Sequence, residues 1–596
     1  MSLRARKPDP IPEETARVAR AAFPDGNLYV RMREELDVIY ADEDFADLFP
    51  TRGQPAESPW RLALVTLFQF AEHLSDRAAA DAVRGRIDWK YALSLELTDA
   101  GFDHTVLSEF RTRLLIGGAE RRLLDLLVCC ARDRGWLKDR GRQRTDSTHV
   151  LAAVRALNRV ELVAETMRHA LAVLADRAPD WLHAHGRSEW AERYERRPED
   201  DRLPSKQAQR LALAETIGRD GLELLVAVDA DEAPSRLRDL PTLRVLRAVW
   251  IQNYLVTETD VRWRTDKEGL PPAARFISSP YDPDAHYAKK RTTQWVGYKV
   301  HLTETCEDDT PNLITNVATT AGPVADGAMT PAIHQALAER DLLPGRHVVD
   351  TGYLDAELLV SIPQRYGVDL LGPTRRNYHW QARAGQGFDA QGFAIDWARE
   401  QATCPAGRTS ISWTPAIDGR RNHVIKIKCS TKDCGPCPHR ADCIRSRKAS
   451  PRRAITVRPH EQYDALRAAR ERERTEAYAA EYARRAGIEG TLSQAVRRAG
   501  LRRSRYVGLA RTRLDHLLTA TALNFVPIGE WLAGYPARED PSPALCHHPG
   551  TRSSRVIEFA TSISFGESGV PRRPRAQATG ASRWRRSAAG CSASQS

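Results

Sequence analysis

From Ser58 to Leu115 apolar positions recur at spacings of three and four, as in Leu62, Val65, Phe68 and Ala71, behind a Ser58–Pro59 start signal. The chain therefore opens with successive short helices. Within them, DHTVLSEFRTRLL (Asp103 to Leu115) has Asp103 or Thr105 as a cap and places Arg111 and Arg113 on the helix flank. Both a helix-turn-helix DNA reader and an all-helical packing domain have this periodicity. The period is lost in GRQRTDSTHVLAAV (Gly141 to Val154), where polar residues meet β-branched ones, and a strand is predicted over about 143–151. A long Arg- and Glu-rich helical insertion follows, over about 155–264. Further strands are predicted in WVGYKVHLTETC (295–306) and NLITNVATTAG (312–322), then a helix over 325–340. RHVVDTGYLD (346–355) reads as a short apolar strand ending in Asp350 and a Gly turn, and VDLLGPT (368–374) as a fifth strand. Three neighbouring strands, a helix, a strand, a helix and a strand predict a mixed α/β sheet.

Residues 375–458 break the pattern with cysteines, glycines and arginines. The chain becomes helical and highly charged over 460–485 and helical again over 491–532. After Ala537 it is rich in Ser, Arg, Pro, Gly and Ala, which predicts a disordered tail. The resulting division is a helical domain over 1–140, an α/β core over 141–374 interrupted by the helical insertion, a Cys-rich insertion over 375–457, C-terminal core helices over 458–535 and a tail over 536–596. A chain of 596 residues exceeds what one hydrophobic core organises, which fits several domains.

Charge and cysteine usage narrow the function. Lys and Arg number 89 against 78 Asp and Glu, a formal +11, which favours a polyanionic partner. No apolar run reaches the roughly 18 residues of a membrane span, and Met1 to Glu14 lacks the apolar core of a signal peptide, so a cytoplasmic location is expected. Five of the ten cysteines fall between Cys404 and Cys443. Cytosolic disulfides are rare, so these five suggest either a metal site or a set of reduced thiols. Cys404, Cys434, Cys437 and Cys443 include a CxxC pair and suit a closed tetrahedral zinc site of structural type, with Cys429 as a further candidate. Cys129 and Cys130, in the apolar RRLLDLLVCC, are expected in the core.

Three acids stand out by context: Asp146 in TDST, Asp350 in VVDTGY and Glu489 in YARRAGIEG. Phosphodiester hydrolysis and strand transfer use two divalent cations about 3.5–4 Å apart. Hard Mg²⁺ needs only a few carboxylates and keeps several waters, so three converging acids suffice, and Mn²⁺ is a possible substitute. From Gly490 to Leu514 there are seven arginines and no acid: Arg497, Arg498, Arg502, Arg503, Arg505, Arg511 and Arg513, with Tyr506 among them. A one-signed stretch of this kind neutralises phosphates. His286, Lys289, Lys290 and Arg291 form a second candidate phosphate contact.

Taken together, LSDRAAADAVRGRIDWKYALSLEL (Leu74 to Leu97), TDST at Asp146, VVDTGYLDAELL around Asp350 and IEGTLSQAVRRAGLRRSRYVGLART (Ile488 to Thr512) closely resemble bacterial insertion-sequence transposases of the DDE type. The resemblance implies an RNase H-like catalytic domain, which the strand and helix order matches, with Asp146, Asp350 and Glu489 as first, second and third acids. The fold class expected is thus an RNase H-like α/β sheet preceded by an all-helical domain and interrupted by two insertions. Tyr482, Arg485 and Glu489 also resemble a tyrosine, arginine, glutamate and lysine signature of related transposases; Val496 stands where the lysine is expected, followed by Arg497 and Arg498. On one helix the three would share a face, and Arg485 could equally be a plain partner of Glu489 on a solvated surface. The function implied is metal-dependent cleavage at element ends and strand transfer into target DNA, by a homodimer or larger assembly on the terminal inverted repeats. The rival readings are a DNA-binding regulator or decayed product without catalysis, and a simple metal-dependent nuclease.

Overall fold

The strand predicted around Asp146 is the centre of the molecule. In the computed structural model, which describes residues 2–197, 203–257, 261–377, 379–446 and 451–535, it runs Arg140–Leu151 (β1) with most of its middle buried on both faces. Beside it lie His286–Lys290 (β2), Thr293–Thr305 (β3), Ile314–Ala321 (β4), Pro344–Val349 (β5) and Asp369–Leu371 (β6). The long β3 pairs antiparallel with β1 along one edge; along the other it meets β2 and then β4, both antiparallel. On its far side β1 pairs parallel with β5, and β5 with β6. Thr145 thus faces Thr303 of β3 on one side and Val349 of β5 on the other. The helices Asp326–Ala338 and Leu358–Tyr366 carry the chain into β5 and β6.

The predicted α/β sheet is present, and β2 is an addition. His286–Lys290 is short and polar, so it carries no alternation of its own, and it becomes a strand by closing a hairpin onto β3 through Arg291, at φ 56°.

One helix joins the sheet to the N-terminal domain. Leu509–Leu532 presents Leu514, Leu518, Ala522, Phe525 and Ile528 to the core formed by the N-terminal helices. Leu517 and Ala520, offset around the same helix, belong to the core beneath the sheet. Between these faces, Asn524 accepts from the Ile314 backbone N–H at 2.7 Å and donates to its carbonyl at 2.9 Å, so the helix is hydrogen-bonded to the start of β4. Phe525 meets Phe68 of the almost wholly buried helix Pro59–Ala71 edge to face, with centroids 6.0 Å apart.

The N-terminal domain corrects three expectations. The helix Thr105–Ile116 starts behind His104 with no side-chain cap, so neither Asp103 nor Thr105 is its cap, although Asp103 Oδ1 accepts from the Thr105 N–H and hydroxyl just before it. Its arginines do not form a flank open to DNA: Arg111 is buried and bonded to Asp76 at 2.6 Å, and Arg113 lies over the Phe49 ring. They are used in packing, as in the all-helical packing reading. Cys129 is exposed and Cys130 half-buried, against the core placement expected, because the helix Arg122–Asp133 turns Leu123, Leu124, Leu127, Val128 and Ala131 inward.

The helical insertion runs from Arg159–Arg177 to Pro241–Asn253, has its own core around Leu162, Met167, Trp190, Ile217 and Trp250, and closes with a small hairpin of Tyr254–Val256 and Val261–Trp263. Gly221 is required there, since a Cβ would overlap the Trp250 ring. The Cys-rich region is more regular than its composition suggested. Ser412–Ile417, His423–Lys428 and Ala454–Val457 form an antiparallel sheet over Phe393, Ala402 and Ile427. The charged stretch predicted as helical over 460–485 is divided into His460–Arg472 and Glu476–Ala483, with a turn at Arg484 and Arg485, and the stretch predicted over 491–532 into Ala486–Ala499 and Leu509–Leu532. The predicted tail lies outside the described residues. Among those described, no helix is long and apolar enough to cross a membrane.

Because Phe525 is fully buried at the junction of the two cores, Phe525→Ala is expected to destabilise the protein by about 3–5 kcal/mol. Chemical denaturation of the full chain checks this; a shift under about 1 kcal/mol would show that the junction does not depend on that ring.

Candidate functional site

Strand pairing alone places two of the acids together. Thr145 and Val349 are opposite one another on parallel neighbours, so Asp146 is the next residue along β1 and Asp350 comes directly after the end of β5. Asp350 also caps the turn Thr351–Tyr353, its Oδ1 accepting from the Gly352 N–H at 2.7 Å. A Cβ on Gly352 would lie 2.8 Å from that oxygen, so glycine leaves the room this turn needs.

The third acid arrives from the C-terminal helices. Arg485, at the turn before Ala486–Ala499, donates from Nη2 to Asp146 Oδ2 at 2.7 Å and from Nη1 to Glu489 Oε1 at 2.8 Å. Its guanidinium therefore joins the β1 acid to the helix acid. The expected shared face of Tyr482, Arg485 and Glu489 holds only in part, because Tyr482 precedes the turn; it packs beside Tyr478 with the rings stacked. Its phenol still lies within electrostatic range of Asp350, Asp146 and Glu489.

Burial pushes the Asp146 carboxyl above the usual carboxylate range, the Arg485 charge opposes this, and the nearby Asp350 adds to it. For Arg485, burial works against the charge, but Asp146 and Glu489 outweigh it and raise its pKa. Burial likewise raises the Tyr482 phenol.

Asp326 was missed. As the first residue of Asp326–Ala338 it looks like an ordinary acid at a helix start. In the fold its Oδ1 accepts from Lys299 Nζ at 2.9 Å and from Ser147 Oγ at 3.2 Å, and Lys290 Nζ is 3.6 Å from Oδ2. The same Gly352 Cβ position that lies next to Asp350 lies 3.2 Å from Asp326 Oδ2, which makes Asp326 a fourth carboxylate here. Burial raises its pKa, but Lys299 and Lys290 prevail and hold it below the usual range. Nothing local in the sequence marks either lysine as its partner.

Arg497, Arg498, Arg502, Arg503, Arg505, Arg511 and Arg513 are all exposed. Arg497 and Arg498 end the helix Ala486–Ala499, Arg511 and Arg513 begin Leu509–Leu532, and the loop between them, with Arg502, Arg503 and Arg505, is clipped to the end of β1: the Leu151 N–H donates to the Arg502 carbonyl, the Ser504 N–H to the Leu151 carbonyl, and Arg502 Nε to Thr148 Oγ1. A cationic surface thus begins within a few residues of Asp146. Arg505 also reaches His73 of the N-terminal domain. Lys289 and Arg291 are exposed at the β2–β3 hairpin and Lys290 reaches Asp326, whereas His286 is an internal anchor, bonded through Nδ1 to the Phe276 carbonyl.

Three acids from separate elements are a donor set suited to a hard cation. In the present arrangement, however, Arg485 links two of them, and among the described residues no group of three or more His, Cys, Asp or Glu side chains is set to hold a metal ion. The same applies to the sulfurs. Cys404, Cys429, Cys434, Cys437 and Cys443 line one cavity of about 30 Å³, and backbone N–H groups of Arg408 and Arg453 donate to Cys404 and Cys434 Sγ at 3.4 and 3.5 Å. Burial, reinforced by the neighbouring thiols, pushes Cys429 up to about 12.

Two protein families match parts of the chain. Residues 17–113 match the Transposase domain (DUF772) family, and residues 403–528 match the Transposase DDE domain family. The first span holds much of the N-terminal helical domain; the second runs from the Cys-rich region through Glu489 and the arginine loop into Leu509–Leu532. No curated protein and no solved structure matches the chain.

Proposed function

We propose, the chain belonging to the insertion-sequence transposases of the DDE type, that this DNA transposase uses Asp146, Asp350 and Glu489 as its three catalytic acids, on an RNase H-like sheet, to cleave element ends and join them to target DNA. The observation that carries the reading is the Arg485 bridge, which brings Glu489 to Asp146 while strand pairing sets Asp350 beside it. The sheet supports it: β3 is antiparallel to β1, β4 is antiparallel to β3, and β5 and β6 run parallel to β1, as an RNase H-like core requires.

Two Mg²⁺ ions, or Mn²⁺ in their place, would be held by the three carboxylates and when bound would supply activation of the attacking oxygen and stabilisation of the leaving one. The chain's residues do the rest. Glu489, whose side chain is 62% exposed, is free to turn once Arg485 exchanges its carboxylate partners for a DNA phosphate. The exposed arginines of 497–513, with Lys289, Lys290 and Arg291, hold the phosphates of the terminal inverted repeat. The freed 3′ hydroxyl then attacks target DNA, and pairing two ends calls for a homodimer or larger assembly. The protein acts in the cytoplasm, where its thiols stay reduced.

Asp146→Asn, Asp350→Asn and Glu489→Gln should each lower Mg²⁺-dependent cleavage of a labelled element end by roughly 10³-fold, equivalent to about 4 kcal/mol of transition-state stabilisation, with end binding retained. An Asp350→Asn enzyme that still cuts at the native rate refutes the assignment. Strand-transfer products separate a transposase from a simple nuclease. Replacing Arg497 and Arg498 together by Ala should reduce the slope of log K for end binding against log salt by about 2. An unchanged slope places the DNA elsewhere.

We assign a structural zinc to Cys404, Cys434, Cys437 and Cys443, with Cys429 as an alternative ligand. The shared cavity and the two N–H···S bonds favour it, and ligation requires the four sulfurs to draw closer together than they stand here. Protein purified without chelator should carry about one zinc per chain, lost in Cys434→Ser, Cys437→Ser. Metal-free protein with all five thiols titratable would rule the site out.

A further inference from the structure

Beneath the row of the sheet that precedes both aspartates, five groups form one buried hydrogen-bonded chain. Thr303 Oγ1 on β3 lies 2.7 Å from Thr145 Oγ1 on β1, which lies 2.6 Å from His347 Nε2 on β5. His347 Nδ1 is 3.0 Å from His334 Nε2, and His334 Nδ1 is 2.8 Å from the Thr330 carbonyl, both within Asp326–Ala338. Thr145, Thr303 and His334 are completely inaccessible and His347 nearly so.

The direction of this chain follows from one end. The Thr330 carbonyl can only accept, so Nδ1 of His334 carries its proton. Burial lowers the pKa of both histidines, so each ring is neutral and its second nitrogen is an acceptor. His334 Nε2 therefore accepts from His347 Nδ1, His347 Nε2 accepts from the Thr145 hydroxyl, and Thr145 accepts from Thr303. Every hydrogen is assigned, and no member can reverse without leaving a buried donor or acceptor unpaired.

We propose that Thr145, His347 and His334 are positioning residues that fix the relative placement of Asp146 and Asp350. This inference rests on the reading of those aspartates as catalytic. Side chains alternate along β1, so Thr145 is bonded on the face opposite Asp146. A one-residue slip of β5 against β1 would break the Thr145–His347 bond, and the same slip would part the two acids. The helix that carries His334 also holds the turn after Asp350, through a bond from Thr330 Oγ1 to the Tyr353 carbonyl at 2.8 Å. Asp350 is thus held from the row before it and from the turn after it.

Thr145→Val keeps the side-chain shape but removes the hydroxyl, whereas Thr145→Ser keeps the hydroxyl. The expected result is a 10–100-fold weaker Mn²⁺ affinity, by calorimetry on the DNA-free protein, and a similar rise in half-saturating Mg²⁺ for cleavage in Thr145→Val, with end binding unchanged and both values restored in Thr145→Ser. Native metal affinity in Thr145→Val, or equal impairment of the two variants, overturns the inference. Asp350→Asn run in parallel separates the failures. If it binds metal and cleaves normally, the catalytic reading falls and this inference with it; if it is inactive while Thr145→Val is native, only the positioning role falls. Should Thr145→Val not fold, ¹⁵N-histidine spectra of the native protein at neutral pH decide instead. Both rings in the Nδ1–H form support the chain, and an Nε2–H form in either ring overturns it.

Discussion

Carboxylates collected at one end of a sheet repel one another, and folding tolerates them only where positive charge is built in among them. Asp146 is linked through Arg485 to Glu489, and Asp326 is neutralised by Lys299 and Lys290. This compensation determines which elements must meet. Arg485 requires the C-terminal helices to cross β1, and Lys299 requires β3 to lie against the start of Asp326–Ala338. Breaking a partly buried pair of this kind leaves an uncompensated charge, a larger penalty than the pair's net contribution to stability.

The same arrangement couples stability to function. With Arg485 bonded to both acids, the site is closed and satisfied, and its carboxylates have partners in the absence of a cation. In the proposed reaction, opening it would replace those bonds with contacts to DNA and metal, so part of the free energy of substrate binding would go into exchanging one set of charge partners for another. Glu489 is suited to this exchange because it stands on the more exposed, helical side, whereas Asp146 and Asp350 are fixed to paired strands. The buried threonine and histidine chain under β1 and β5 resists motion where motion would separate the fixed pair.

Rigidity on a larger scale comes from Leu509–Leu532, one helix shared by two cores. It keeps the N-terminal helices in a defined place relative to the sheet, and the arginine loop immediately before it is clipped to β1 on one side and reaches His73 on the other. A basic surface held by both domains has a set distance from the acids, which a tethered flexible segment would lack. The two insertions each have a core of their own and so add surface without disturbing the central sheet.

The main strands, the acids at Asp146 and Asp350, and the one-signed arginine stretch were legible in the sequence because each is a local pattern: a period of two, a strand ending in a turn, a run of like charges. Glu489, on the C-terminal helices, was singled out by context, and its role as a third acid came from the resemblance. The edge strand His286–Lys290 escaped notice because its pairing, not its composition, makes it a strand. Arg111 and Cys129 were misplaced because periodicity identifies the faces of a helix but not which neighbour covers them. Local order therefore determined where the main strands of the central sheet and most of the helices lie, and which residues carry charge. Only the tertiary structure decided that Arg485 joins Asp146 to Glu489, that Asp326 belongs with Lys299, and that Thr145 bonds His347, since those contacts join segments far apart in the chain and exist only once the sheet has closed.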